Sequence, residues 1–190
     1  FTAFACILLG AGIPTTATYI ILVSIAAPAL GLLGVAPLVA HFFVFYYGVL
    51  ADVTPPVALA AYAAAGIAGA NPFKAGNTAF RLAAAKALVP FVFVYSPAML
   101  IVTDGFTWNA FAITVVGCAA GIVLLGAALT GYLLAPMGWV ARCVLAAAAL
   151  PLVAPGLSSG LIGLAVAAPV LLAQAIAARR GRAVESTGDG

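Results

Sequence analysis

The stretch Ala51-Asp52-Val53-Thr54-Pro55-Pro56 interrupts an otherwise apolar run that covers residues 37–69. Proline lacks the backbone donor that a helix requires, and its ring clashes with the preceding turn. It also disfavours helical dihedral angles in the residue before it, which here affects both Thr54 and Pro55. Since one membrane crossing needs only about 20 residues, the run predicts a single transmembrane helix that is unwound in the middle.

A second interruption, Gly10-Ala11-Gly12-Ile13-Pro14-Thr15-Thr16, separates the apolar arms 1–9 and 17–33. Each arm is short for a hydrocarbon core of about 30 Å, and the second arm contains Pro28. We therefore expect a re-entrant helical hairpin with its tip at residues 12–16. Irregular backbone at membrane depth is tolerated only where it is buried in protein or lines a wet cavity, so both interruptions are candidate functional sites.

The composition of the whole chain indicates the same class of protein. Of its 190 residues, 66% are hydrophobic and 6% are charged, whereas soluble domains are about 45–50% apolar and about 25% charged. The chain is too apolar for disorder, and its net charge of +3 comes without the basic stripe of a nucleic-acid binder. We predict an all-α polytopic membrane protein with a re-entrant hairpin, a broken transmembrane helix and about four further spans.

Polar residues divide the rest of the chain into an interfacial segment at 71–86, apolar segments at 87–102, 108–134, 139–153 and 158–178, and a polar tail at 179–190. The basic residues fall on one side of this arrangement, which the positive-inside rule assigns to the cytoplasm together with the C-terminus. With this orientation, the hairpin enters and leaves the membrane on the outer face. We interpret the basic side chains as topology and headgroup anchors: Lys74, Arg81, Lys86, Arg142, Arg179, Arg180 and Arg182.

Freed carbonyls and hydroxyls at the two interruptions offer oxygen ligands, which suit a weakly held hard cation such as Na⁺. Discontinuous helices are a common way for secondary transporters to build ion and substrate sites. Asp52 is the only acidic residue inside an apolar stretch, and intramembrane carboxylates are functional by default. The alternative is an interfacial or capping aspartate at the start of the half-helix that follows, and a carboxylate at a helix start could also face a cation. The candidate sodium ligands are Gly10, Gly12, Thr15, Thr16, Asp52 and Thr54.

Other polar and small residues allow simpler interpretations. The sole histidine, His41, suggests either a proton relay or a neutral ring that is hydrogen-bonded near the outer interface. Asn71 and Asn77 flank a turn and are expected to be helix caps. The GxxxG spacing of Gly117 and Gly121 allows close helix packing, although it arises easily by chance in a chain rich in glycine and alanine. The cysteines lack ligand spacing and are expected to pack as small hydrophobes: Cys6, Cys118 and Cys143.

Several motifs, in this order and spacing, carry a resemblance to a known family. They are Gly12-Ile13-Pro14-Thr15-Thr16-Ala17, Ala27-Pro28-Ala29-Leu30, Phe43-Val44-Phe45-Tyr46-Tyr47, Asp52-Val53-Thr54-Pro55-Pro56-Val57-Ala58-Leu59-Ala60 and Ala63-Ala64-Ala65-Gly66-Ile67-Ala68-Gly69-Ala70. The chain resembles the C-terminal half of the large membrane subunit of tripartite ATP-independent periplasmic (TRAP) transporters, in particular the fused permeases that work with the TAXI type of solute-binding protein. The resemblance covers residues 1–102, and residues 108–178 resemble the extra helices that often end such permeases.

The resemblance implies an elevator-type secondary transporter of the bacterial inner membrane. A sodium gradient would drive uptake of an organic anion, often a carboxylate, that a periplasmic solute-binding protein delivers. Na⁺ would be the coupling ion, with no organic cofactor. Residues 1–102 would form the C-terminal half of the transport domain, and residues 103–178 would be additional transmembrane helices. The sodium- and substrate-facing positions would be Gly12, Pro14, Thr15, Thr16, Asp52, Thr54, Pro55 and Pro56.

Because one hairpin and one broken helix make half of an inverted repeat, we expect the chain to be a fragment. It would work with the N-terminal half of the permease and with a small membrane subunit or its fused equivalent. Two alternatives stay open: another ion-coupled carrier with re-entrant hairpins, and a structural helix bundle that does not transport. An enzyme is not expected, because Asp52 has no second carboxylate in the membrane and Ser24 has no evident base.

Overall fold

The structure, a computed structural model, describes residues 1–101 and 106–188, with the side chains of the last helix described as far as Arg179. Within these ranges the chain is helical and forms no strand beyond an isolated bridge between Tyr132 and Pro136. Four of the described helical segments are long and apolar enough to cross a membrane: Thr15–Leu32, Pro72–Tyr95, Trp108–Thr130 and Leu157–Arg179. The prediction of an all-α, multi-pass membrane protein is therefore confirmed.

The first part of the chain folds into a helical hairpin packed against a broken helix. The hairpin consists of α1 (Thr2–Gly10) and α2 (Thr15–Leu32), and the broken helix consists of α3 (Pro37–Ala51) and α4 (Leu59–Ala68). Both interruptions occur where glycine and proline predict them. The hairpin arms are unequal, since α2 has 18 residues and α1 has 9. Because α2 has the length of a span, re-entry of the hairpin stays a prediction.

The next segment is helical on both sides of residue 86, where the sequence predicts a division between an interfacial segment and a span. Helix α5 (Pro72–Ala84) passes through a 3₁₀ turn (Ala85–Leu88) directly into α6 (Val89–Tyr95). Lys86 lies in this 3₁₀ turn, so the α-helix changes form there while the helical path continues. The path therefore ends at Tyr95, and a 3₁₀ turn follows at Pro97–Met99. The predicted boundary at 102/103 lies outside the described residues, and the chain divides into units 1–111 and 112–190.

Small and aromatic residues build the core of the first unit. Cys6, predicted to pack as a hydrophobe, is buried there beside Leu22 and Tyr47. The Tyr47 hydroxyl donates to the carbonyl oxygen of Ala87 at 2.6 Å, so it ties the 3₁₀ turn to α3. Of the two predicted asparagine caps, Asn71 is confirmed, because its side chain accepts from the backbone N–H of Lys74 at 3.0 Å, whereas the prediction for Asn77 is wrong, because Asn77 lies inside α5. The Asn71 bond satisfies a donor at the start of α5.

The second unit contains most of α7 (Trp108–Thr130), together with α8 (Trp139–Val153) and α9 (Leu157–Gly188). Glycines allow its helices to approach closely. A β-carbon on Gly117 would lie 2.6 Å from the carbonyl oxygen of Leu152, and one on Gly121 would lie 2.8 Å from Cγ2 of Val153. The GxxxG pair therefore does mark a close helix contact, which confirms the packing interpretation.

Two residues of the second unit have environments that the sequence did not predict. Arg142, interpreted as a headgroup anchor, donates to the carbonyl oxygens of Ala128 at 2.6 Å and Leu129 at 2.9 Å. It therefore satisfies the free carbonyls at the end of α7. Cys143, expected to pack in the core, is exposed on α8, while Cys118 is buried as expected.

Candidate functional site

The turn of the hairpin, residues 11–14, is shaped by its own small and polar residues. Gly12 has φ of 83°, a left-handed conformation that favours glycine. The hydroxyl of Thr18 donates to the carbonyl oxygen of Ile13 at 3.0 Å, and Thr18 is only 1% exposed. A buried side chain of α2 therefore holds the turn from inside, and sequence reasoning did not single it out.

The break between α3 and α4 is held by hydrogen bonds that replace the helical ladder. The Asp52 carbonyl accepts from the N–H of Ala60 at 3.2 Å, and the Thr54 hydroxyl donates back to the carbonyl of Leu50 at 2.8 Å. Ala58, which is buried, adopts a left-handed conformation with φ of 36° and precedes the first residue of α4. No side chain caps α4, so Asp52 satisfies a donor in the first turn of this half-helix through its backbone carbonyl and not through its carboxylate.

The two interruptions lie against each other. The hydroxyl of Thr15, at the start of α2, donates to Oδ2 of Asp52 at 2.8 Å, across 37 positions of sequence. A β-carbon on Gly12 would lie 3.2 Å from Cγ1 of Val57, so the hairpin turn also touches the far side of the break. We call this meeting of residues 10–16 with residues 51–58 the junction.

Four helix ends meet at the junction. The C-terminal ends of α1 and α3 carry partial negative charge, and the N-terminal ends of α2 and α4 carry partial positive charge. Some backbone oxygens at the junction accept no hydrogen bond from any described residue, and these are the carbonyls of Ala11, Gly12, Val53, Pro55 and Val57. The junction thus contains one carboxylate and several backbone oxygens without a hydrogen-bond partner among the described residues, a set of oxygen ligands that suits a hard cation.

The predicted site residues have different surroundings at the junction. Thr15 and Asp52 are half-buried and bonded to each other, whereas the Thr54 hydroxyl is already used within the break. Gly10 is buried by packing, and its carbonyl accepts a long bond of 3.4 Å from the N–H of Ile13. The predicted positions that are exposed are Gly12, Pro14, Thr16 and Pro56, and Pro55 is half-buried.

A cation at the junction would depend on backbone and hydroxyl oxygens. Among the described residues, no group of three or more histidine, cysteine or acidic side chains could hold a metal ion. Asp52 is the only carboxylate at the junction and has no ion-pair partner among those residues. Neutral oxygens around one carboxylate fit a monovalent hard cation better than a tightly held transition metal.

His41 lies away from the junction, near the start of α3. Its Nδ1 is 2.7 Å from the hydroxyl oxygen of Tyr19 on α2. This contact matches the interpretation of a hydrogen-bonded ring, and it joins the long arm of the hairpin to α3. Phe45 packs edge-on against Tyr19, with ring centroids 5.8 Å apart.

Comparison with known families identifies the chain. The family model described as "Tripartite ATP-independent periplasmic transporter, DctM component" matches residues 1–108, which include the whole junction. The chain belongs to the DctM family. DctM proteins are the large permease components of TRAP transporters, a transporter family and not an enzyme family.

The DctM assignment supplies the general setting of the junction. Members of this family work with a solute-binding protein and with other membrane subunits. The matched region ends at the start of α7, so the rest of α7 together with α8 and α9 lies outside it. No curated protein and no solved structure matches the chain.

Proposed function

We propose that the junction is the sodium and substrate site of a TRAP permease that takes up organic carboxylates. The observation that carries this proposal is the Thr15–Asp52 hydrogen bond, because it joins the two irregular segments into one polar centre. Broken helices near the bilayer midplane are how many secondary transporters build such sites. This arrangement also supports transport over the alternative of a regular helix bundle.

The polarity of the helix ends supports binding of a cation and an anion side by side. A sodium ion would be held by the Asp52 carboxylate, the Thr15 hydroxyl and the unpaired carbonyls of the junction. The ends of α1 and α3 favour positive charge, whereas the starts of α2 and α4 favour negative charge. Each ion would improve the site for the other, and this mutual stabilisation is the physical basis of coupling.

The proposed transport cycle follows from the way the hairpin and the broken helix are joined. Because the hairpin turn and the helix break contact each other directly, we propose that they move as one body in an elevator-type cycle in the bacterial inner membrane. A periplasmic solute-binding protein, of the TAXI type if the permease is fused, would deliver the anion to the outer side. The C-terminus would lie in the cytoplasm.

Reconstitution tests this proposal. The full-length permease, with its partner subunits, is placed in liposomes, and uptake of labelled carboxylates from a panel of acetate, succinate, glutamate and 2-oxoglutarate is measured with the solute-binding protein outside. An inward sodium gradient should accelerate uptake strongly over an equal potassium gradient. Equal uptake under both gradients would disprove sodium coupling, and no uptake of any carboxylate would disprove the substrate class.

A further inference from the structure

Lys86 is a charged residue that the junction does not explain, and the structure places it far from either end of its helical path. The path Pro72–Tyr95 is long and apolar enough to cross a membrane, and Lys86 has fourteen of its residues before it and nine after it. Nine residues rise only about 14 Å, less than half of a hydrocarbon core of about 30 Å. If this path crosses the membrane, Lys86 therefore lies within the apolar layer.

The surroundings of Lys86 connect it to the break of α3. The Tyr47–Ala87 hydrogen bond of 2.6 Å fixes the 3₁₀ turn that carries Lys86 against α3. Lys86 lines a cavity of about 260 Å³. The other lining residues come from α3 and the start of the break, and they are Phe45, Tyr46, Val49, Leu50 and Val53. The cavity thus reaches the junction at Val53, one residue from Asp52.

The charge of Lys86 has no carboxylate partner among residues 1–101 and 106–179, whose side chains the structure describes. The carboxylate of Asp52 is bonded to Thr15 instead. A cation at membrane depth is costly unless it meets an opposite charge, and such residues mark ion and substrate pathways. The surrounding apolar and aromatic wall would suit the hydrocarbon part of an organic anion.

We propose that Lys86 binds the carboxylate of the transported organic anion in this cavity. The inference rests on the proposed function of the junction and adds a residue to its substrate site. It revises the interpretation of Lys86 as a headgroup anchor. With Asp52 holding sodium and Lys86 holding the carboxylate, the cation and the anion would occupy neighbouring positions along α3.

A transport assay with charge variants is the first test. In the reconstituted full-length permease, the probe is whichever carboxylate of the panel the wild type takes up fastest. Lys86→Met should raise the KM for that carboxylate by about tenfold or more, because a charge-assisted contact is lost. Lys86→Arg should leave the KM within about threefold, since it keeps the charge. The sodium concentration that gives half-maximal uptake, measured at a saturating concentration of the carboxylate for each variant, should be unchanged.

Lys74→Met is the matched control, because Lys74 is exposed like Lys86 but lies in the first turn of the same helical path and does not line the cavity. The proposal is overturned if Lys86→Met and Lys74→Met change the KM equally, or if Lys86→Met lowers only kcat. The two failures are distinguishable: a wild type without sodium-driven uptake refutes the proposed function, whereas a normal wild type with an unaffected Lys86→Met variant refutes this inference alone.

Amine footprinting uses only the wild-type protein, so its result does not depend on whether a variant folds. Lys74 and Lys86 are the lysines of this chain, so acetylation of each is read by mass spectrometry. The transported carboxylate should slow acetylation of Lys86 and leave that of Lys74 unchanged. Protection of Lys86 by phosphatidylglycerol in the vesicles, with none from the carboxylate, would identify a lipid headgroup as its partner and overturn the proposal. Equal acetylation under all conditions would do the same.

Discussion

Gly10 of the hairpin and Ala51 of the broken helix approach so closely that a β-carbon on Gly10 would lie 3.1 Å from that of Ala51. The same β-carbon would lie 2.9 Å from Cγ2 of Thr18. The last residue of α1 thus packs against the last residue of α3. This contact brings the two interruptions together, and it requires a residue without a side chain at position 10.

The first prediction concerns this packing. Gly10→Ala should destabilise the protein by about 1–3 kcal/mol, the usual cost of overpacking a close contact. Gly31→Ala is the matched control on α2, because a β-carbon there meets no atom within 4 Å; it should stabilise α2 by up to about 1 kcal/mol. Thermal unfolding in detergent measures both. Similar melting temperatures for the two variants would contradict the described packing.

A second prediction isolates the Thr15 hydroxyl. Thr15→Val keeps the shape of the side chain but removes the donor to Asp52, whereas Thr15→Ser keeps the donor. A hydrogen bond to a charged group contributes about 1.5–3 kcal/mol. Loss of the Thr15 hydroxyl should therefore raise the sodium concentration that gives half-maximal uptake roughly tenfold or more. Uptake measured over a series of sodium concentrations checks this. The idea fails if valine and serine behave alike.

A variant of Asp52 distinguishes an ion-binding role of this residue from a structural role. Asp52→Ala should weaken the sodium dependence of uptake much more than it lowers the amount of permease in the membrane, because the carboxylate has one side-chain partner and no ion pair among the described residues. Quantitative blots and sodium-dependent uptake in the same vesicles provide the two readouts. Parallel loss of both would instead assign Asp52 a structural role.

The second unit offers a matched pair of glycines on α9. A β-carbon on Gly163 would lie 2.6 Å from Cγ of Leu152 and 2.9 Å from the carbonyl oxygen of Ala148, whereas one on Gly160 meets nothing within 4 Å. Gly163→Ala should therefore lower the melting temperature, by an amount equivalent to about 1–3 kcal/mol. Gly160→Ala should leave it unchanged or raise it. A reversal of this order would contradict the close contact between α8 and α9.

Arg142 supports a prediction about helix capping. Its guanidinium donates to two carbonyl oxygens at the end of α7 and lies 5.8 Å from the centroid of the Trp139 ring. Lysine cannot reproduce this forked geometry, so Arg142→Lys should destabilise the protein by about 1–3 kcal/mol. Arg179→Lys, at an exposed position, is the control for loss of an arginine. Equal melting temperatures would show that the positive charge alone suffices.

Local sequence predicted the elements of this protein well. The hairpin, the broken helix and their interruptions occur at the expected residues, because glycine, proline and apolar runs act on the backbone within a few positions of themselves. The Asn71 cap could be predicted for the same reason. The predicted division at residue 86 coincides with the 3₁₀ turn between α5 and α6, through which the helical path continues.

The sequence by itself determined that the chain is an all-α membrane protein with two interruptions in its helices, because hydropathy and the effects of proline depend on neighbouring residues. Only the tertiary structure decided that these interruptions lie against each other and that Thr15 donates to Asp52. It also decided that Thr18 bonds the hairpin turn and that Val57 packs against Gly12. Such contacts join residues distant in sequence, so they depend on how whole helices pack and not on any local pattern.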